Sequence, residues 1–396
     1  MRLSPLVACS LLLACHPSRT APVPAQSGAP LLLATVPVAI RNDHLEARAT
    51  VNGDSAWLIL DTGSWMTYLD GAWARARGAR PVPYLRVRDD SAAVVDSIRF
   101  GDLTLRDYRV DLASFTELSR ASGEVIQGLL GSDVLRRFVV VIPARSDHVL
   151  LYEPTTYSYT GPGVVVPLSI AWNTPVARGA IRIDEHRSVP VRLMLDTGAS
   201  RLCLIFTKRF VKHTKSLTKN APLAGPIGLG LGGLIRGSLG RLRELRIGSL
   251  VAPDPSAGFP TDSTQNFSFD IADGVVGSRL LWRTGIIIDY LRRRAIFPNA
   301  IVPDDACSYE MSGLFLASQG DSLSHVEVLD VFPGSPAADA GIRSGDELLA
   351  VDGTPVTGQR LWEIRDLFRE EGAGRTLRLR RGNDSLSVSL ILRRLL

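Results

Sequence analysis

The sequence predicts a mainly β protein: two similar β-lobes, then a smaller β-barrel module that contains two helices. Three observations lead to this fold class. One set of motifs occurs twice in the same order, and the apolar residues fall in short β-branched and aromatic runs. The C-terminal part mixes alternating strands with helical spacing. A chain of 396 residues, 45% of them hydrophobic, is long enough for two or three domains.

The internal repeat centres on two Asp-Thr-Gly motifs. Residues 60–64 are echoed by residues 195–200, and the apolar Gly-x-x-Gly element at 128–132 is echoed at 274–278. The spacing between the two copies drifts, and the insertions that cause this drift are expected in surface loops. Residues 32 to 300 are therefore predicted to form two β-lobes, each built around an Asp-Thr-Gly loop. Short helices are expected just after each Gly-x-x-Gly element.

The N-terminus has the pattern of a targeting segment. Arg2 precedes a short apolar run at residues 6–14, which is too short to span a bilayer and ends before Cys15. Residues 1–15 resemble a bacterial lipoprotein signal, in which the cysteine becomes the lipidated first residue. A plain secretory signal is the alternative. Residues 16–31, rich in Pro, Ser and Ala, are expected to be a flexible tether.

Charge and cysteine content narrow the function classes. The net charge is +5, but the Lys and Arg residues are dispersed and no basic stripe alternates with aromatic residues, so nucleic-acid binding is not expected. Besides Cys9 and Cys15, only Cys203 and Cys307 remain. They can pair in an oxidising compartment or remain buried free thiols. Neither has the spacing of a zinc ligand set.

Two Asp-Thr-Gly loops can hold two carboxyls face to face. Carboxyls about 3 Å apart cannot both ionise, so they share one proton. One carboxyl then acts as a base on water while the other acts as an acid. Because the pair titrates as a unit, neither role belongs permanently to one residue. This chemistry requires no cofactor or metal, and none is expected here.

These motifs resemble the catalytic loops of two-lobed aspartic peptidases of the retropepsin and pepsin class. The resemblance implies an acid-protease-type β-barrel fold, with lobe 1 at residues 32–158 and lobe 2 at 159–302. It implies that Asp61 and Asp196 form the catalytic dyad. Residues expected to support the dyad include a Thr clasp between the lobes and a hydroxyl that bonds to the Asp61 carboxylate. They are Thr62, Gly63, Ser64, Thr197 and Gly198.

The family closes its cleft with hairpin flaps. The first candidate spans residues 84–99 and includes Tyr84, which can equally be a core tyrosine. The second spans residues 228–240 and includes Gly230, Gly232 and Gly233. A phosphate-binding loop is the alternative for this glycine-rich stretch, but no strand–loop–helix context with a nearby lysine supports it.

The C-terminal module, residues 303–396, resembles a PDZ domain of the bacterial kind. Ser335 is a predicted helix N-cap, Pro336 suits the first helical position and Gly341 suits the C-terminal turn. The resemblance implies that C-terminal peptides bind at a carboxylate-binding loop and beside an amphipathic helix. The loop is Gly313, Leu314 and Phe315, and the helix carries Leu361, Ile364 and Phe368, which can equally be core residues.

Two functions compete at this point. The first is an aspartic endopeptidase of the cell envelope, membrane-anchored through Cys15, that acts on protein or peptide substrates. The second is an inert envelope scaffold that binds peptides through its PDZ domain. A serine peptidase is not expected, because no Gly-x-Ser-x-Gly motif occurs. Since both lobes lie in one chain, oligomerisation is not required to complete the site.

Overall fold

The computed structural model describes residues 29–82, 91–214, 217–261, 270–320 and 322–396. The molecule is mainly β with a separate C-terminal sheet, which confirms the predicted fold class. No helix within the described ranges is both long and apolar enough to cross a membrane. The signal, the tether up to residue 28, Cys15 and Tyr84 lie outside the described residues.

Lobe 1, residues 32–158, contains the first Asp-Thr-Gly loop. Its strands are β1 (Leu32–Arg41), β2 (His44–Val51), β3 (Asp54–Leu60), β4 (Tyr68–Asp70), β5 (Arg80–Pro81), β6 (Ala92–Phe100), β7 (Leu103–Ala113), β8 (Gly128–Leu130), β9 (Val139–Ile142) and β10 (His148–Tyr152). Its helices are α1 (Gly71–Arg75), α2 (Thr116–Ser122) and α3 (Ser132–Leu135).

Lobe 2, residues 159–302, repeats this plan. Its strands are β11 (Val164–Ala171), β12 (Thr174–Arg182), β13 (Ser188–Asp196), β14 (Leu204–Phe206), β15 (Leu223–Gly230), β16 (Gly233–Arg241), β17 (Glu244–Ile247), β18 (Leu250–Pro253), β19 (Ser256–Pro260), β20 (Gly274–Gly277), β21 (Ile286–Asp289) and β22 (Arg294–Phe297). Its helices are α4 (Lys208–His213), a 3₁₀ turn (Leu217–Asn220) and α5 (Ser278–Thr284).

The C-terminal module forms its own sheet. Its strands are β23 (Leu314–Gln319), β24 (His325–Val331), β25 (Glu347–Val351), β26 (Thr354–Pro355), β27 (Gly374–Arg381) and β28 (Asp384–Ile391). Its helices are a 3₁₀ turn (Asp304–Cys307), α6 (Pro336–Asp339) and α7 (Leu361–Asp366).

The repeat is visible in how the strands pair. In lobe 1, β3 runs parallel to β8, and β4 lies antiparallel on the other side of β8. In lobe 2, β13, β20 and β14 repeat this arrangement. Strands β9 and β21 then pair across the lobes and join them in one antiparallel sheet of order β1-β10-β9-β21-β22-β11. This shared sheet holds the two Asp-Thr-Gly loops in a fixed relation.

The helix ends of the C-terminal module follow the sequence signals. The Ser335 side chain accepts a hydrogen bond from the Ala338 N–H and so caps α6, and Pro336 opens the helix. Gly341 has a φ of +74°, a left-handed conformation that a glycine adopts without strain. The module also has a separate core, in which Leu361 is buried.

One covalent bond ties the C-terminal module to lobe 2. Cys203, next to the second Asp-Thr-Gly loop, forms a disulfide with Cys307, 104 residues later. Both cysteines are buried. Of the two states that the sequence left open, the structure therefore contains the disulfide and not the free thiols.

Candidate active site

The two aspartates sit where strands β3 and β13 run into the Asp-Thr-Gly loops. Strand β3 ends at Leu60, so Asp61 opens the first loop, and its backbone N–H donates to the Leu130 carbonyl on β8 at 2.9 Å. Asp196 is the last residue of β13, and its register partner on β20 is Gly277. The Gly-x-x-Gly elements thus lie directly alongside the loops and support them from behind.

Each carboxyl is held by backbone donors from its own loop. The Oδ1 atom of each aspartate accepts two N–H groups, and the two sets are closely similar. The donors are Gly63 at 2.8 Å and Ser64 at 2.9 Å to Asp61, and Gly198 at 2.9 Å and Ala199 at 3.1 Å to Asp196. These bonds fix the orientation of both carboxyls and leave the Oδ2 atoms for other chemistry.

The carboxyls face each other across the lobe boundary, within hydrogen-bonding reach. Burial raises the pKa of Asp61, although the N–H groups of its own loop act in the opposite direction. Burial raises the pKa of Asp196 further above its usual range, and the neighbouring charge of Asp61 adds to this. Such a pair retains one proton well above the pH at which a free aspartic acid loses it.

A clasp of two threonines joins the loops beneath the carboxyls. The Thr62 hydroxyl donates to the Leu195 carbonyl at 2.6 Å, and the Thr197 hydroxyl donates to the Leu60 carbonyl at 2.5 Å. Each threonine N–H also donates to the other threonine's Oγ1, at 3.0 and 3.1 Å. Both side chains are buried, so four bonds without competition from water lock the two lobes together at the site.

Ser64 contacts Asp61 differently from the expectation. Its hydroxyl donates to the Met66 carbonyl at 2.7 Å, and only its backbone N–H reaches the Asp61 carboxylate. The expected hydroxyl contact is therefore wrong. The backbone already places two donors on Oδ1, and the hydroxyl instead stabilises the turn that follows.

A cleft of about 340 Å³ opens over the carboxyls. Trp65 of lobe 1 and Trp172 of lobe 2 lie at its mouth with ring centroids 5.3 Å apart. Ala121 of helix α2 and Ile227 of β15 line its walls. The cavity thus combines apolar walls with a few polar groups at its base, as small-molecule and peptide sites commonly do.

The hairpin of β15 and β16 crosses this cleft. Gly230 ends β15, Gly233 begins β16 with a φ of +92°, and Leu231 and Gly232 form the tip. The Leu231 side chain packs against a cluster of buried lobe 1 residues: Ile59, Phe115, Leu118, Ile126 and Leu129. The second candidate flap therefore lies over the site. Tyr84 of the first candidate falls in residues 83–90, which the structure does not describe.

His44 is a cleft residue that the sequence analysis missed. It opens β2 and its Nε2 lies 3.0 Å from the Gly198 carbonyl in the second Asp-Thr-Gly loop. Burial lowers the pKa of His44 to about 4. The neutral ring therefore donates from Nε2 and supports the second loop from lobe 1. No local pattern marks this histidine, because its partner lies 154 residues away.

The predicted peptide-binding residues of the C-terminal module are found together, but their groups are engaged. The Gly313 N–H donates to the Glu310 carboxylate at 3.3 Å, and the Leu314 N–H donates to the Ser312 hydroxyl at 3.1 Å. The side chains of the other three predicted residues, Phe315, Leu361 and Ile364, are buried. Phe315 packs in a cluster with lobe 2, whereas Leu361 and Ile364 lie in the core of the module. Their binding roles stay predictions.

Two protein-family models match the chain. The model described as "Aspartyl protease" covers residues 47–134, which include Asp61 and its loop. The model described as "PDZ domain" covers residues 327–381. The chain carries an aspartyl protease-like domain and a C-terminal PDZ domain. Asp196 lies outside the range of the first match, so its pairing with Asp61 rests on the internal repeat and the geometry above.

Several curated proteins share short stretches with this chain. A chloroplastic C-terminal processing peptidase of Tetradesmus obliquus is 44% identical over 59 residues, which cover 15% of this chain and 13% of that protein. The putative serine protease HhoA of Synechocystis is 44% identical over 66 residues, 16% of each chain. Serine protease HTRA1 of Xenopus tropicalis is 30% identical over 70 residues, 18% of this chain and 15% of that protein. The chain thus spans less than a fifth of the length of these relatives.

Solved structures are similar to separate parts of the chain. The photosystem II D1 C-terminal processing protease is 31% identical, with a TM-score of 0.21, and the match covers 22% of this chain and 24% of that one. Soybean basic 7S globulin is 11% identical, with a TM-score of 0.39, and the match covers 69% of this chain and 96% of that one.

Proposed function

We propose that the chain is an aspartic endopeptidase that hydrolyses peptide bonds with the dyad of Asp61 and Asp196, and that its PDZ domain recognises a peptide partner. One observation carries the proposal: two buried carboxyls face each other, each oriented by a matching pair of backbone donors and joined by the threonine clasp. The matches to an aspartyl protease model and a PDZ model support it.

The proposed reaction needs one proton on the pair. The ionised carboxyl takes a proton from a water molecule, and the water oxygen attacks the scissile carbonyl carbon. The protonated carboxyl donates its proton to the carbonyl oxygen, so a neutral tetrahedral diol forms. Its breakdown returns one proton from the diol to the dyad and delivers another to the leaving amine, and the C–N bond breaks. The dyad ends the cycle with one proton.

Two relatives carry names of serine proteases, but the geometry here favours carboxyl chemistry. The described residues at the base of the cleft include both aspartates, and His44 contacts a backbone carbonyl there. On the lobe 1 surface, the Ser146 hydroxyl and the Asp147 carboxylate both meet the same atom, Nδ1 of His148. An imidazole cannot relay a proton between two groups on one nitrogen.

The first test replaces each carboxyl in turn. We expect Asp61→Asn and Asp196→Asn to reduce cleavage of a broad peptide pool by at least about a thousandfold, as is typical when one member of a catalytic set is lost. Activity of the unsubstituted chain should be bell-shaped in pH, because a second proton blocks the base and loss of the last one removes the acid. Equal cleavage by the variants would contradict the site. A silent parent protein at every pH would contradict the activity.

We further propose that the protein is an exported lipoprotein anchored through Cys15 in the cell envelope. The support is the short apolar run that ends at this cysteine, followed by a segment rich in Pro, Ser and Ala. We expect Cys15→Ser to move the protein from the membrane fraction to the soluble fraction, measured by sedimentation and immunoblotting, with Cys9→Ser as the matched control. Unchanged sedimentation of the Cys15→Ser variant would argue against the lipid anchor.

A further inference from the structure

Strand β23 lies at the edge of the PDZ sheet, and among the described strands it pairs with β24 alone. Leu316 lies opposite Val328 on β24, and the Val328 N–H donates away from β23 to the Asp346 carbonyl at 2.8 Å. Leu316 and Val328 are therefore a non-hydrogen-bonded pair, and the backbone of Leu316 points away from β24. Ser318, two residues on, shares this edge. An extended peptide that adds to the sheet pairs with such an edge.

Helix α2 of lobe 1 lies along this edge. The Arg120 Nε donates to the Ser318 carbonyl at 3.3 Å, and the Arg120 guanidinium also contacts Glu327 at 3.4 Å. Gly123 ends the helix, and a Cβ atom at this position would stand 2.5 Å from Cβ of Leu361 on α7. The same Cβ would lie 3.2 Å from the Ser318 hydroxyl. The end of α2 therefore fills the groove between β23 and α7.

A second arginine closes the same edge from the other side. The buried Arg365 of α7 donates to the Leu316 carbonyl at 2.7 Å and to the Asn42 side chain of lobe 1 at 2.5 Å. Both edge carbonyls, at residues 316 and 318, thus accept from guanidinium groups. In a peptide complex the same carbonyls would accept from backbone N–H groups of an added strand.

The loop before β23 already holds a carboxylate. Glu310 Oε2 accepts the N–H of Ser312 at 2.9 Å, the N–H of Gly313 at 3.3 Å and the Ser312 hydroxyl at 2.5 Å. Glu310 is buried, and no hydrogen-bond partner is found for its Oε1 among the described residues. A carboxylate on adjacent backbone donors is the contact that a peptide C-terminus would make.

We propose that the chain occupies the peptide groove of its own PDZ domain with its own groups, and that an extended peptide with a free C-terminal carboxylate must displace them to dock there. Glu310 stands in for the terminal carboxylate, Arg120 and Arg365 stand in for the donors of the added strand, and Gly123 packs against Leu361. A peptide that binds there displaces helix α2 from β23.

Displacement of α2 would directly move residues that line the cleft. The opposite face of α2 carries Leu118 and Ala121, which line the cleft, and the flap tip Leu231 packs on the cluster that contains Leu118. Helix α2 is therefore packed between the PDZ groove and the flap. This step rests on the proposed function: a docked C-terminus loosens the flap's support and opens the cleft to substrate.

A peptide-binding experiment tests whether helix α2 blocks the groove. The probe is a fluorescent pool of short random peptides with free carboxylates, added to the full chain carrying Asp61→Asn, which prevents cleavage. Gly123→Ala places its Cβ against Leu361, and we expect it to bind the pool about tenfold more tightly because the groove is open in a larger fraction of molecules. The same peptides with amidated C-termini should bind at least about tenfold more weakly.

The matched control is Gly372→Ala. Gly372 has the same φ of +80° as Gly123 but no atom within 4 Å of an added Cβ, so it tests backbone strain alone. Its affinity should equal that of the parent. If Gly123→Ala fails to fold, Arg120→Ala removes the Ser318 contact without strain. Affinities that match the parent in both α2 variants, or equal binding of amidated peptides, would overturn the proposal.

Hydrogen exchange and cleavage complete the test. Bound peptide should speed amide exchange in α2 several-fold and leave α6 unchanged, and unchanged exchange in α2 would overturn the proposal. With both aspartates intact, Gly123→Ala should cleave an amidated reporter peptide several-fold faster. If peptide binding and amide exchange in α2 change as expected but no protein cleaves the reporter peptide, only the proposed peptidase activity is contradicted. If the parent cleaves peptides but the α2 variants bind the pool with the parent's affinity, only the proposed docking surface is contradicted.

Discussion

Close approach explains the residue types at the candidate site. A Cβ at Gly63 would lie 2.2 Å from Cγ of Asp196, and one at Gly198 would lie 2.3 Å from Cγ of Asp61. Each carboxyl thus rests against the opposite loop, where only a glycine fits. The repeated Asp-Thr-Gly motif predicts how each carboxyl is held within its own loop, because both loops make the same backbone hydrogen bonds to their aspartate. His44 was not predictable in this way, since its partner lies in the other lobe. The Ser64 hydroxyl bonds locally to the Met66 carbonyl and not to the Asp61 carboxylate, which the motif alone does not indicate.

At the residue scale, His44 predicts a pH effect on stability. Its pKa is about 4 in the folded protein against an ordinary value of 6.5, so protonation favours the unfolded state. Stability linked to His44 is therefore complete above pH 6.5 and declines as the pH falls from there through 4. His44→Gln keeps a neutral donor near the Gly198 carbonyl. As the pH falls through this range, we expect its melting temperature to decrease less than that of the parent.

The exposed His186 supplies the control for this measurement. Thermal denaturation of His186→Gln between neutral pH and pH 4 should follow the parent curve. Identical pH profiles for His44→Gln and the parent would show that His44 is not the titrating group.

At the scale of elements, the strands were largely predictable and helix α2 was not. Short β-branched runs between turn residues mark the strands, and Pro336 with its Ser335 cap marks α6. Helix α2 has only one such signal, the left-handed Gly123 at its C-terminal end, and no capped N-terminus. Its N-cap position, Phe115, makes no side-chain capping bond. Leu118 and Ala121 line the cleft, whereas Arg120 and Gly123 contact the PDZ domain. Tertiary contacts on two sides hold this short helix.

The disulfide predicts a stability effect at the same scale. It closes a loop of 104 residues between lobe 2 and the C-terminal module, and in the chain-entropy model a loop of this length contributes about 5 kcal/mol. We expect Cys307→Ser to lower the free energy of unfolding by about that amount in denaturant titrations under oxidising conditions. Under reducing conditions the parent should approach the variant. A parent insensitive to reductant would contradict a structural role for the bond.

At the scale of the whole molecule, the lobes and the PDZ domain form one packed unit. Nη1 of Arg279 in lobe 2 contacts both carboxylate oxygens of Asp43 in lobe 1, at 3.0 and 2.9 Å, and Nη2 donates to the Ser308 hydroxyl at 2.6 Å. Burial acts to raise the pKa of Asp43, but the charges of Arg279, Arg369 and Arg283 outweigh it and hold that pKa far below its usual range. This junction secures the hairpin that carries His44.

Asp43→Ala should therefore destabilise the whole protein. Loss of one partner leaves a buried guanidinium without its carboxylate, which costs about 3 kcal/mol, and the loss should appear as a lower unfolding midpoint. The exposed pair of Glu185 and Arg243 is the control, and Glu185→Ala should cost less than about 1 kcal/mol. Equal effects of the two variants would contradict the assigned role of the buried pair.

The sequence by itself determined what depends on local chemistry: the duplicated lobes, the paired Asp-Thr-Gly loops with their Gly-x-x-Gly supports, and the capped helix of the PDZ domain. Only the tertiary structure decided that Cys203 pairs with Cys307, that His44 reaches the Gly198 carbonyl, and that α2 fills the groove beside β23. The reason is separation along the chain. Each of these contacts joins residues more than a hundred positions apart, so no local spacing encodes it.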